Sequence, residues 1–136
     1  MDAKPRRYVR SGLVMARVVN PIVGRLPGTL VLVVPGRHSG RPRSVPLGRP
    51  FELDGVRYLV GGEGETQWVR NLRAAGTAQL RLHGRTESFR AAEIYWTERD
   101  RIVAAYQAAM GRTVETFFRE LPDPADHPVF RVDPMG

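Results

Sequence analysis

One segment constrains this chain more than any other, the run from Gly28 to Leu47. Leu30 to Val34 form a continuous apolar stretch rich in β-branched side chains, which predicts a buried strand. Pro35-Gly36 stops it, and a short stretch follows with Arg37, His38, Ser39, Gly40, Arg41 and Arg43. Val45, Pro46 and Leu47 then resume an apolar alternation, a second strand. Gly36 and Gly40 let the backbone take positive φ or approach a ligand closely. The chain must therefore leave one strand, pass through a glycine-hinged basic loop and return. Guanidinium groups bind phosphate and carboxylate through a planar fork of donors, so the cluster suits a multiply charged anion. Basic residues in a turn are also ordinary solvated surface, and the local pattern leaves both readings open.

Charge distribution bears on that choice. Residues 1–51 hold ten Lys/Arg against one acid, Asp2, for +9, and residues 52–136 hold eleven Arg against thirteen acids, for −2. The positive excess lies in the part of the chain that contains the loop. At 136 residues the chain is long enough for one domain with a real core. It has no cysteine, which excludes a disulfide framework, a thiolate metal site and a cysteine nucleophile. His38, His83 and His127 are too scattered to form a metal site by spacing. No apolar run has the length of a membrane span, and the N-terminus lacks the features of a secretory signal, so a cytoplasmic protein is expected.

Before the first strand, Val9, Leu13, Val14, Val18 and Val19 recur near i, i+4 with Arg6, Arg7, Arg10 and Arg17 between them. That spacing predicts an amphipathic helix from about Tyr8 to Val19, ended by Asn20-Pro21. Residues 1–27 then form a helical segment of a single domain, 1–136. It either caps that domain or touches anionic lipid weakly from the membrane surface.

After the basic loop, Phe51 and Leu53 lead to Asp54-Gly55, a strong hairpin signal, with Val56 to Val60 as the partner strand. Gly61-Gly62-Glu63-Gly64 follows. Thr66 is a candidate N-cap for a helix from Gln67 to Ala75, closed by Gly76. Such a loop can offer backbone N–H groups to an anion or a carbonyl, although it matches neither the dinucleotide fingerprint nor the P-loop. Ala78 to Leu82 reads as a strand, His83-Gly84 as its turn, and Arg85 to Tyr95 as a longer strand bent or bulged at Ala91-Ala92. Thr97 and Asp100 suggest a capping box for a helix reaching about Met110. A second helical piece covers Val114 to Leu121, and His127 to Val132 reads as a last strand. About six short antiparallel strands with few helices predict a mainly β (α+β) fold, a small barrel.

Two segments, Gly36-Arg37-His38-Ser39-Gly40-Arg41-Pro42-Arg43 and Trp68-Val69-Arg70-Asn71-Leu72-Arg73-Ala74, resemble the paired signatures of the deazaflavin (F420)-dependent nitroreductase family. The Asp54-Gly55 hairpin between them and the late His127-Pro128-Val129-Phe130-Arg131 segment fit the same order. The resemblance implies a split β-barrel of the FMN-binding-like type and an F420H2-dependent oxidoreductase. It implies that Arg37, His38, Ser39, Arg41 and Arg43 hold the coenzyme's phosphate and glutamate tail. Val45, Pro46 and Leu47 would run beside the deazaflavin ring, and Gly61, Gly62, Gly64 and Trp68 would close over it. Trp68 has a competing reading as a core anchor. The coenzyme brings the hydride, so few catalytic side chains are needed. Tyr106 and Tyr58 are candidate proton donors, each also readable as a core ring. Glu63 and Glu65 stand where nitroimidazole-reducing relatives tend to carry a lysine, so a quinone, an enone or an imine is as apt an acceptor as a nitro compound. Two rivals remain: FMN in the same groove, and a non-enzymatic basic domain that binds nucleic acid or carries a cofactor. Nucleic acid is disfavoured because the aromatic residues do not interleave with the arginines. A homodimer is left open.

Overall fold

A computed structural model describes residues 29–135, so the expected helix at 8–19 lies outside the described residues. Seven strands form a single sheet in the order β2-β1-β5-β6-β7-β4-β3. They are β1 (Leu30–Pro35), β2 (Pro42–Gly48), β3 (Phe51–Leu53), β4 (Val56–Val60), β5 (Thr77–Leu82), β6 (Arg85–Ile94) and β7 (Val129–Pro134). Every pairing is antiparallel. The sheet curls into a half-barrel with peripheral helices, as the strand-rich sequence predicts. The count of seven stands against about six expected, and β3, the short first arm of the Asp54-Gly55 hairpin, pairs only with β4.

Curling follows from how β6 uses its length. Its first six residues pair with β5, and its last six, Phe89 to Ile94, pair with β7. The ladder to β7 runs unbroken through Ala91 and Ala92, so the bulge expected there is absent. The register shift falls instead between Leu30 and Val31, which face Gly48 and Pro46 and leave Leu47 as the extra residue. Gly48 has φ +78° there, a conformation a side chain would strain.

Two apolar layers hold the sheet. The inner one collects Leu32, Val34, Leu59, Leu80, Phe89 and Phe130. Helix α1 (Gln67–Ala75) adds Trp68, Val69 and Leu72, one face at helical spacing. It ends where the sequence predicts, at Gly76 with φ +74°. The outer layer lies between β3, β4 and β7 on one side and α2 (Trp96–Met110) and α3 (Glu115–Glu120) on the other. Phe51, Tyr58, Ile102, Val103, Phe118 and Val129 fill it.

One of the two expected N-caps is borne out in position. Thr66 occupies the N-cap of α1, but its hydroxyl makes no cap bond. The N-cap of α2 is Tyr95 rather than Thr97, and Trp96 enters the helix with φ +62° and 79% exposure. Both hairpin signals hold: Asp54-Gly55 and His83-Gly84 each place two successive residues at positive φ. No described helix is long and apolar enough to cross a membrane.

Candidate functional site

The basic loop joins β1 to β2 at one end of the half-barrel. Its backbone closes on itself: the Gly36 N–H donates to the Arg41 carbonyl and the Gly40 N–H to the Gly36 carbonyl, both at 2.8 Å. Gly40 sits at φ +75°, which explains the glycine. The Ser39 hydroxyl accepts from the Arg41 N–H at 3.1 Å, so Ser39 shapes the turn as well as lining it.

A helix residue pins the loop from outside. Asn71 of α1 is buried, and its Oδ1 accepts from the Arg37 backbone N–H at 3.1 Å and from Arg37 Nη1 at 2.8 Å. The two segments that resemble the family signatures are thus bonded to each other across 34 residues of sequence. Asn71 acts as a structural hydrogen-bonder, and its second role is to fix a half-buried guanidinium.

Gly36 shows how close the cluster comes. A Cβ there would lie 3.2 Å from Ser39 Oγ and 3.4 Å from Arg43 Nε. Both side chains therefore converge over a spot that only glycine leaves open. His38, Ser39, Arg41 and Arg43 are exposed, and Gly36 beneath them is buried. Elsewhere Arg57, Arg73, Arg99, Arg101, Arg119 and Arg131 are each tied to a carboxylate. Among the described residues no ion pair reaches Arg37, Arg41 or Arg43. Three cations without carboxylates on a pinned turn fit a polyanion.

The second loop is built differently from what its glycines suggest. Gly61, Gly62 and Gly64 are buried, and their N–H groups donate to the carbonyls of Pro128, Val60 and Gly61 at 2.7, 2.9 and 2.9 Å. These donors are already spent within the protein. A Cβ on Gly61 would meet Gly64 O at 3.0 Å and Pro128 Cδ at 3.1 Å. On Gly62 it would meet the Tyr106 hydroxyl at 3.2 Å and Phe117 at 3.3 Å. The glycines thus allow close packing, and the N–H groups expected to face a ligand face the chain itself.

Four residues to which the sequence analysis gave no such role, His127, Arg73, Glu65 and Glu93, secure this loop. His127 is fully buried, with Nδ1 3.2 Å from the Gly61 carbonyl oxygen and Nε2 2.6 Å from that of Leu121. Its ring stacks on Phe118 at 4.2 Å. Arg73 forks onto both oxygens of buried Glu65, at 2.8 and 2.9 Å, and onto both of Glu93. Hydrogen bonds to Glu65 and then Glu93 raise the Arg73 pKa well above its ordinary value. The one sequence signal for this network was the pair of acids flanking Gly64.

The aromatic candidates divide. Trp68 is 5% exposed and packs on Phe130 at 6.4 Å, as a core anchor of the inner layer. Tyr106 packs edge-on against Phe51 at 5.4 Å, and burial, reinforced by the charge of Glu63, pushes its hydroxyl pKa up to about 12. Tyr58 is 5% exposed in the outer layer, yet it also borders a cavity. That cavity, of about 570 Å³, lies at the other end of β2, where Leu30 faces Gly48. Val45 and Leu47 pack on the inner layer between the basic loop and the cavity.

The profile of a family described as F420H(2)-dependent quinone reductase matches residues 8–116. A comparison with curated protein sequences found no match. Among solved structures, the chain resembles one described as F420-H2 dependent reductase FDR-A, at 24% identity and TM-score 0.56, over 78% of this chain and 94% of that one. It resembles another described as a domain-swapped dimer, at 24% identity and TM-score 0.56, over 79% and 82%. A third is HutZ, the heme storage protein from Vibrio cholerae, at 14% identity and TM-score 0.59, over 88% and 92%. At these identities the structures speak for the fold. The profile spans most of the sequence and takes in both the basic loop and the Trp68–Ala74 segment, and the chain therefore belongs to the F420H(2)-dependent quinone reductase family.

Proposed function

We propose that this protein uses reduced coenzyme F420 to reduce an electron-poor small molecule, a quinone foremost, with enones, imines and nitro compounds as further acceptors. The observation that carries the reading is the basic loop: it is pinned by Asn71, free of carboxylate partners among the described residues, and drawn together over Gly36 by Ser39 and Arg43. Arg37, Arg41 and Arg43, with His38 and Ser39 beside them, would hold the phosphate and glutamate tail. Val45, Pro46 and Leu47 run from that loop along β2 and would flank the ring. When bound, the coenzyme supplies a hydride; the protein's share is to grip, orient and keep water away.

The other expected contacts take supporting roles in this reading. Gly61, Gly62 and Gly64 let the chain pack tightly behind the site, and Trp68 holds α1, and with it Asn71, against the barrel. Tyr106 keeps its proton through the neutral range, since its pKa lies near 12. Water is then the simplest proton source, with Tyr58 at the cavity as the side-chain alternative. A homodimer and a cytoplasmic location complete the reading. Supporting the dimer is a structurally similar protein described as domain-swapped.

Parallel fluorescence titrations with F420 and with FMN test this, followed by stopped-flow oxidation of the reduced complex by a quinone panel. Tight F420 binding with quinone-dependent oxidation is expected. Preferential FMN binding, or no binding of either, would defeat the proposal.

A further inference from the structure

The cavity at the Gly48 end of β2 has a composition that the basic loop does not explain. Its floor is apolar, made by Leu30, Leu59, Leu80, Leu82 and Val132 from four strands. Its rim is cationic. Arg57 crosses to Glu87, donating Nη1 to Oε1 at 2.8 Å and Nη2 to Oε2 at 2.6 Å. That fork uses two of the five guanidinium N–H groups. Arg57 is half-buried, and hydrogen bonding to Glu87 raises its pKa, so it stays charged. Arg85 and His83 stand beside it, with no ion pair to Arg85 among the described residues. A half-open, largely apolar space with a fixed, charged donor group at its rim suits a flat hydrophobic body that carries accepting oxygens.

We infer that this cavity binds the hydride acceptor, and that the acceptor is a fused-ring quinone whose carbonyl oxygen faces Arg57. The inference rests on the functional reading above. It is supported by position: β2 begins at the basic loop and, past the bulge at Leu47, ends at Gly48, whose partner Leu30 lines the cavity. Bulges commonly re-aim a strand beside a working site. When bound, the coenzyme would supply a hydride to the quinone, which would leave negative charge on a quinone oxygen. A proton from water then completes the hydroquinone. Arg57, held in place by Glu87, would face that oxygen while it is charged. Glu87 itself is no acid here, because its bond to Arg57 lowers its pKa.

Menadione serves as the probe, added to coenzyme-free protein and followed by methyl-resolved NMR. Shifts in the Leu30, Leu59, Leu80 and Leu82 methyl groups are expected, with Leu32 and Leu72 little changed. Leu82→Trp should abolish those shifts by filling the cavity, and Arg57→Gln should weaken binding by about tenfold to a hundredfold, the value of a charge-assisted hydrogen bond. Both variants should bind F420 as the parent does. Menadione shifts that miss the four leucines, or binding unchanged in Arg57→Gln, would overturn the assignment even if Leu82→Trp fails to fold. Should menadione bind here while F420 binds nowhere, the cavity assignment stands and the coenzyme reading falls.

Discussion

Asn71→Asp separates the architecture of the basic loop from its charge. In the parent protein Asn71 Oδ1 accepts two hydrogen bonds from Arg37, at 3.1 and 2.8 Å. A carboxylate at the same place keeps both acceptors and strengthens the side-chain bond, so the loop stays in position. What changes is the field. A unit negative charge about 4 Å from a guanidinium is worth about 1 kcal/mol in water and about 4 kcal/mol at an effective dielectric of 20. Asn71 is buried while the loop above it is exposed, which puts the effect on a bound anion between these limits, about 1–2 kcal/mol. That corresponds to about a five- to thirtyfold loss of F420 affinity. Asn71→Ala gives the complementary result. It strands the Arg37 N–H and frees the guanidinium, costing about 1–3 kcal/mol of stability. Thermal denaturation and fluorescence titration of the three proteins form the assay. Asn71→Asp should melt near the parent temperature and bind weakly; Asn71→Ala should melt earlier. If Asn71→Asp binds F420 as tightly as the parent, the loop's positive charge is not what holds the coenzyme.

Other outcomes follow from single contacts. Arg43→Ala should weaken F420 binding about tenfold to a hundredfold with an unchanged melting temperature, because the exposed side chain has no carboxylate to leave behind among the described residues. Gly36→Ala should weaken binding with little loss of fold, since its methyl group would push on Ser39 Oγ and Arg43 Nε. Gly62→Ala should cost about 1–3 kcal/mol by overpacking against the Tyr106 hydroxyl; combining it with Tyr106→Phe should recover part of that loss in a denaturant titration. Tyr106 also sets a pH dependence. Its folded pKa lies above the unfolded value of 10, at about 12. Its contribution is therefore complete below pH 10 and fades as pH rises toward 12. Two units correspond to about 2–3 kcal/mol. Absorbance at 295 nm should show one late-titrating tyrosine, lost in Tyr106→Phe.

Local patterns carried the β architecture. Period-two alternation and paired turn residues located the strands and both tight hairpins, because those features depend on near neighbours. The arginine loop was equally visible, since its glycines and cations are contiguous. What stayed hidden was contact across the fold. Nothing in the sequence around Asn71 says that its oxygen meets Arg37, and nothing near His127 says that its ring bridges Gly61 and Leu121. The Gly61–Gly64 loop misled for the same reason: glycines that could expose N–H groups spend them on Pro128, Val60 and Gly61 itself. Trp68 was undecided until α1 was seen with that face on the inner layer. Of the cap residues, Thr66 and Gly76 stand where expected, and only the Thr97 cap is displaced. Thr66 lies buried at its helix end, and α2 starts one residue earlier than Thr97, at a strained Trp96.

The central claim is that Arg37, Arg41 and Arg43 grip the anionic part of the coenzyme. Arginine side-chain Nε–Hε NMR spectra, recorded during titration with F420 and assigned by single Arg→Lys substitutions, address it residue by residue. The account expects the largest shifts at those three guanidinium groups, with Arg101 and Arg119 on the helical side unmoved. Saturable binding that perturbs other arginines and leaves these three unchanged would contradict it.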